Sequence, residues 1–387
     1  MKVLLPTEYY PPFVRGGAEI SIKLLAEQLA ERGVETHILT PNYGDLAHFT
    51  QKNGVKIHRF KSPRKILYSN SDVPSQTYRK SRALFHWIID KYVRLSAKEF
   101  GLKISNLQER EKFDLIHSQN TESILGLHEA DVECPEIAHI RDLKLLCATG
   151  MKQINNKFCG ECTSENIRTC LDTNLPLSNL IKKDLDRRKS KVKNFDHYIS
   201  ILKLFVRELN KEGIPKNKIS LVPNPLSEKH ISKLTKEEAR NKLDLNFENM
   251  LVMFAGSLTK RKNAHLIPKL AKKMPNTDFI VGGEGPLRPT FENSKIENMH
   301  YQGLIPPEKI KHYYRAADCL VVPSGGRVVF EGQANGACII AARKDVFLGV
   351  IKEGETGVFY EPGNIEKIKK KISFLQENKS KREKIAK

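Results

Sequence analysis

The sequence predicts an α/β protein of two parallel-sheet domains that face each other across a cleft. Three observations carry this reading. At 387 residues the chain is too long for one ordinary core. Short apolar runs alternate with amphipathic helical stretches, the pattern of parallel βα units. The alternation breaks once, at Val222–Pro225, where two prolines flank Asn224 and prevent regular structure on either side. The expected domains are residues 1–222 and 223–387.

Met1–Thr7 (MKVLLPT) reads as a strand, followed by a helix from Ala18 to Arg32. Ile22, Leu25, Ala26 and Leu29 fall on one face of that helix, and Gly33 stops it. VETHILTP is the next strand. Before the helix, Gly16 and Gly17 lack a Cβ and let the backbone come close to a phosphate, with Arg15 adding charge; a plain tight turn explains them equally well. The spacing is not GxGxxG, so a nicotinamide or flavin site is not supported. VKIHRF is a third strand. From Ser75 to Leu107 a basic, aromatic helix carries Leu84, Trp87, Ile88, Tyr92 and Leu95 at helical spacing. That stripe suits core packing first and a membrane surface second.

FDLIHSQN and PEIAHIRDL are strands that deliver His117, Ser118, Gln119 and Asn120, then His139, Arg141 and Asp142, to a sheet end where α/β folds display ligands. Four of the seven cysteines follow within 24 residues: Cys147, Cys159, Cys162 and Cys170. With one CxxC pair in a reducing compartment they read either as a structural zinc site or as free thiols. Cys134, Cys319 and Cys338 read as small hydrophobes buried in strands.

FDHYISILKLFVRELNKEGIPKNKISLVPNPL closes the first half as strand, helix and strand. The second series runs through MLVMFAGSLTKRKN, TDFIVGGEGPL, MHYQGLIPPEKIKHYYRAAD and LVVPSGGRVVFEGQANG to ACIIAARKD and a charged terminal helix. The stretch Leu320–Gly336 is a strand, a Gly-Gly turn and a helix start. Its amides favour an anion, and Glu331 can accept hydrogen bonds from sugar hydroxyls.

The formal charge of +20, from 65 Lys and Arg against 45 Asp and Glu, fits anionic lipid, nucleic acid or nucleotide diphosphates. No nucleic-acid motif is visible, so none is expected as partner. Apolar runs stay short of the roughly 20 residues of a membrane span. A cytoplasmic location is expected, with peripheral contact at the inner face of an anionic membrane.

FVRGGAE, FDLIHSQN, LVPNPL, FAGSLTKRKN, VGGEGPL, YQGLIPPEKIKHYYRAADCLVVPS and GRVVFEGQANG, in this order, resemble the retaining nucleotide-sugar glycosyltransferases of family four. The resemblance implies two Rossmann-like domains facing a cleft, the GT-B fold. It implies transfer of a sugar from a nucleotide-diphosphate donor to a glycan, lipid or small-molecule acceptor, with no cofactor required for catalysis. Gly16 and Gly17 match the loop against the donor diphosphate, Lys262 the pyrophosphate lysine, Glu331 the ribose-binding second glutamate, and Gly283 and Gly285 a loop near the base. Gly326 and Arg327 lie in the donor turn, and His117 and Asp142 match positions near the reacting sugar and acceptor.

Three departures stand out. Pro323 occupies the place of the family's first glutamate, in a shortened turn; Ser257 stands where many members carry an arginine; and the chain ends at SKREKIAK, where members usually continue into a helix that crosses back, so a weaker domain interface is expected. The Cys-rich insert 147–170 resembles one seen in some members. The alternative reading is a catalytically weak subunit that binds a nucleotide sugar.

Overall fold

The computed structural model describes residues 1–14, 16–61, 78–150, 152–154, 157–347 and 349–386; the side chains of 78–94, 153 and 157 lie outside this description. Arg15 and most of the expected aromatic stripe therefore fall outside it. Leu95, the stripe's last member, is 62% exposed and is not core. The chain divides into two units, Met1–Pro225 and Leu226–Lys387.

The strands of the N-unit are β1 (Lys2–Pro6), β2 (Glu35–Asn42), β3 (Phe49–Lys52), β4 (Val55–Lys61), β5 (Leu115–Ser118), β6 (Glu136–Ile140), the small hairpin β7 (Gln153–Ile154) and β8 (Lys157–Phe158), then β9 (His197–Ser200) and β10 (Ile219–Leu221). The main sheet runs β10-β9-β6-β5-β1-β2-β4-β3. Every neighbour in it is parallel except β3, which pairs antiparallel with β4. In β1, Val3, Leu4 and Leu5 are all buried, as a strand covered on both faces requires. The chain leaves β1 for β2 on one side and later returns to β5 on the other. That reversal opens a crevice at the carboxyl ends of β1 and β5.

The C-unit repeats the plan with β11 (Met250–Ala255), β12 (Thr277–Gly282), β13 (Met299–Tyr301), β14 (Cys319–Val322), β15 (Cys338–Ala342) and β16 (Val358–Tyr360). They form an all-parallel sheet in the order β13-β12-β11-β14-β15-β16. Here the reversal lies between β11 and β14. Every residue of β11 is buried, and its two faces enter two separate apolar clusters above and below the sheet. The last helix, Lys379–Ala386, packs on this unit: Arg382 donates to the Leu375 carbonyl at 2.7 Å and lies 3.6 Å from Asp318, while Ile385 joins the core.

Cys319 and Cys338 are fully buried partners in the β14–β15 register. Cys134 differs from expectation: it lies on a bend ahead of β6 and is only half-buried. Among the described residues no helix is long and apolar enough to cross a membrane.

Candidate functional site

In the C-unit, two loops leave the sheet at its reversal. After β11 come Gly256 and Ser257, then Lys262. After β14 come Pro323, Ser324, Gly325 and Gly326, leading into the helix Val328–Ala334. Lys262 Nζ donates to the Gly325 carbonyl at 2.7 Å, so the two loops meet through this lysine. Burial, with Arg261 and Lys344 nearby, lowers its pKa to about 8. A cavity of about 40 Å³ lies between the loops, lined in part by Gly256, Lys262, Pro323, Ser324 and Gly326.

Glu331, on the fourth residue of the helix after β14, is held by two donors. Arg327 Nε reaches one carboxylate oxygen and the Tyr314 hydroxyl the other, each at 3.1 Å. Arg327 thus braces Glu331 and is itself largely buried. Asn335, fully buried, accepts from the Ser232 amide at 2.7 Å and donates to the His230 and Glu331 carbonyls. The start of the C-unit is thereby tied to the back of the glutamate helix.

The loop after β12 holds Gly283 and Gly285 at φ +143° and +150°. A Cβ on Gly283 would stand 1.9 Å from the Gly256 carbonyl oxygen, and one on Gly285 would stand 2.8 Å from that of Leu258. Close packing of this loop on the β11 loop therefore requires both glycines. Gly326, at φ +158°, faces Lys262 Nζ.

In the N-unit, the ends of β1 and β5 are laced together. The Glu8 amide donates to Asn120 Oδ1 at 3.0 Å, Asn120 Nδ2 donates to Thr7 Oγ1 at 3.1 Å, and the Glu122 amide donates to a Glu8 carboxylate oxygen at 2.8 Å. Gly16, extended at φ −173°, donates its amide to Glu19 at 2.8 Å and begins the first helix, Gly17–Glu31. A Cβ there would touch nothing within 4 Å.

His117 and His139 stack with ring centroids 5.1 Å apart and planes 2° from parallel. His139 Nδ1 lies 3.1 Å from His117 Nε2 and 3.4 Å from Arg141 Nη2, so it is the acceptor and His117 Nε2 carries a proton. Burial first, and Arg141 second, push the His117 pKa down to about 3 and that of His139 well below its usual range. Both rings are neutral at physiological pH. Arg141 bridges Gln119 Oε1 at 2.8 Å and Asn224 Oδ1 at 2.7 Å. Asp142 accepts from Thr121 Oγ1 at 3.3 Å and from the Lys144 amide at 2.9 Å, and its other oxygen lies 3.5 Å from Lys144 Nζ. Asp142 and then Glu8 raise the Lys144 pKa.

Residues 15–132 match the family described as Glycosyltransferase Family 4, and residues 235–387 match the one described as Glycosyl transferases group 1. The chain is a family 4 glycosyltransferase. An uncharacterised glycosyltransferase of Methanocaldococcus jannaschii is 21% identical over 95% of this chain and 87% of its own length. Sucrose-phosphate synthase from Thermosynechococcus elongatus superposes with a TM-score of 0.76 at 16% identity, covering 100% of this chain and 92% of that one. The Anabaena HepE protein, solved with UDP-glucose, superposes at 0.64 with 15% identity over 100% and 92%. These likenesses place the glycosyltransferase in the GT-B fold.

Within this glycosyltransferase the sequence-predicted residues fall into two sets. Ser257, Lys262, Gly283, Gly285, Gly326, Arg327 and Glu331 surround the β11–β14 reversal, whereas Gly16, Gly17, His117 and Asp142 belong to the β1–β5 crevice. Sequence reasoning missed Tyr314, Glu8, Glu122 and Lys144. Tyr314 carries no signal because its hydroxyl reaches Glu331 from a different helix, Pro307–Ala316. Glu8 had a signal in its place just beyond the first strand.

The zinc expectation for Cys147, Cys159, Cys162 and Cys170 needs correction. Tetrahedral zinc thiolates lie about 3.8 Å apart, twice the Zn–S distance projected across the tetrahedron. No three of these four sulfurs come within 4.8 Å of one another. Instead Cys162 donates a hydrogen bond to Cys147, which also accepts from the Lys152 amide at 3.3 Å, and these bonds lower the Cys147 pKa to about 5 against its burial. The insert is anchored by the buried Lys152–Glu208 ion pair at 2.5 Å and by Ile167 and Leu171 packed on Ile181 and Leu185. Among the described residues the one ligand-sized group is Glu35, His37 and Glu111, where Lys2 and Lys56 already supply the positive charge.

Proposed function

We propose that this glycosyltransferase moves a sugar, with retention, from a nucleotide-diphosphate donor to a glycan, lipid or small-molecule acceptor in cell-envelope or other glycoconjugate synthesis. The observation that carries the proposal is the meeting of Lys262 with the Pro323–Gly326 turn beside the braced Glu331 at the C-unit reversal. That arrangement pairs a cation for phosphate with a carboxylate for ribose hydroxyls. The HepE protein, solved with UDP-glucose, supports the donor class.

In the proposed reaction the bond from the anomeric carbon to the diphosphate oxygen breaks while the acceptor oxygen bonds to the same face. The acceptor's proton passes to the departing phosphate. Lys262 opposes the charge that grows on the leaving group. His117, neutral and with its Nε2 proton directed at His139, can accept a hydrogen bond from a sugar hydroxyl at Nδ1 and supplies no positive charge. Gly16, which neither its φ nor its surroundings require to be glycine, leaves room for phosphate against the first helix. The +20 charge supports a cytoplasmic enzyme working at an anionic membrane face.

The test is incubation with UDP-, GDP- and ADP-sugars, reading nucleoside diphosphate release and the anomeric configuration of any product. Release from one donor class, with retained configuration, supports the proposal. Binding without release from any donor supports instead the nucleotide-sugar-binding subunit, for which Pro323 in place of a glutamate is the specific observation.

A further inference from the structure

The loop after β15 carries Lys344, followed by Asp345, and no ion pair joins the lysine to a carboxylate among the described residues. Lys344 is 9% exposed. Its neighbour Arg343 is engaged by Glu353 at 3.1 Å and lies 4.0 Å from Glu361. The stem of Lys344 is covered while its Nζ, which is not among the buried unbonded polar atoms, keeps access to solvent, and partial burial lowers its pKa. A cation that is unpaired and accessible at its tip is free to meet an anionic ligand.

The position of Lys344 says which ligand. Val346, two residues beyond Lys344, packs on the shortened turn: a Cβ on Gly325 would stand 3.1 Å from Val346 Cγ2. The same turn meets Lys262, whose Nζ bonds the Gly325 carbonyl at 2.7 Å and would lie 3.7 Å from a Cβ on Gly326. Lys344 contributes to the lowered pKa of Lys262, so the two ammonium groups repel each other around one turn. That turn contains only Pro323, Ser324, Gly325 and Gly326, and no acid to balance them. Ser257 on the facing loop adds no charge.

We propose that Lys344 is a second phosphate-binding cation, which with Lys262 holds the diphosphate of the donor. The assignment rests on the donor reading given above. It gives the shortened turn a chemical consequence: removing an acid at this place frees two lysines for one dianionic group. It also supplies the positive charge that Ser257 does not.

The experiment is calorimetric titration of the full chain with UDP, GDP and ADP, comparing wild type with Lys344→Met, Lys344→Arg and the exposed control Lys352→Met, alongside thermal melting. For the nucleoside diphosphate that wild type binds, Lys344→Met is expected to weaken affinity roughly tenfold or more. Lys344→Arg is expected to stay within about threefold, because it keeps the charge. Lys352→Met is expected to match wild type. Lys344→Met is also expected to melt no lower than wild type, since it keeps the covered stem and removes a cation that pairs with no carboxylate among the described residues. Wild-type affinity in Lys344→Met overturns the assignment alone. Weak binding in both Lys344 variants together with lower melting also overturns it, by showing a packing role. Failure of wild type to bind any of the three overturns the donor reading and this assignment with it.

Discussion

Lys262 Nζ donates a 2.7 Å hydrogen bond to the Gly325 carbonyl oxygen, across a turn whose first residue is Pro323 where the family resemblance implies a carboxylate. Among the described residues the ammonium is held by a backbone dipole and by no carboxylate. Burial first, then Arg261 and Lys344, lower its pKa.

The first prediction concerns pH. With a folded pKa of about 8 against an ordinary 10.5, Lys262 binds fewer protons folded than unfolded between these values. Stability of the free protein therefore rises as pH climbs from 8 to 10.5, recovering at most ~3 kcal/mol, while below pH 8 the penalty is constant. Lys262→Met should lack this rise in a melting series. A bound diphosphate favours the charged form, so binding above pH 8 should take up a proton, measurable by calorimetry in buffers of different ionisation enthalpy.

The glycines of the two units should respond oppositely to alanine. Gly283→Ala places a Cβ 1.9 Å from the Gly256 carbonyl oxygen at φ +143°, and should destabilise the C-unit by about 3 kcal/mol or more. Gly16→Ala meets open space in an ordinary conformation and should change stability by less than about 0.5 kcal/mol. Its effect should appear in donor affinity. Melting and nucleotide titration of both variants separate the two roles.

His117 and His139 should make the N-unit sensitive to acid. Both have folded pKa values below the ordinary 6.5, so the unfolded chain binds more protons as pH falls through that value. Stability is complete above pH 6.5 and is lost on acidification toward 3, by ~2 kcal/mol for His117 at pH 5, with His139 acting in the same direction. His117→Asn should flatten the acid limb of a melting curve. It should leave no histidine-like inflection to remove from the activity profile near neutrality.

The cysteine insert should be indifferent to chelators. Its anchor is the Lys152–Glu208 pair, and Glu208→Gln, which strands a buried ammonium, should cost about 3 kcal/mol. Overnight treatment with a strong chelator should leave melting unchanged. Stoichiometric zinc in the purified protein would contradict this.

Much of the fold was legible because its strands are continuous apolar runs: Met250–Ala255 is buried throughout, and so reads as a core strand without any partner information. The edge strand Phe49–Lys52 was not legible, since its only apolar residue is 52% exposed and the others are polar. At the candidate site, Lys262 and Glu331 could be read from local motifs. Arg327 stands four residues before Glu331 on the same helix, a spacing the sequence carried and the reading passed over, whereas Tyr314 could not be read as the partner of Glu331 because that contact depends on how two helices meet. Gly283 and Gly285 suggested a ligand, whereas the packing of two loops suffices to require them. Lys344 was invisible because one lysine in a polar loop has no pattern until its burial is known.

The most direct test of the donor site is a calorimetric titration of wild type, Glu331→Ala, Lys262→Ala and Tyr314→Phe with UDP, GDP and ADP. The account predicts that wild type binds one of them, that the first two substitutions each weaken it about a hundredfold, and that Tyr314→Phe, which loosens Glu331 by one hydrogen bond, weakens it by about tenfold. Equal affinity in wild type and Glu331→Ala would contradict it.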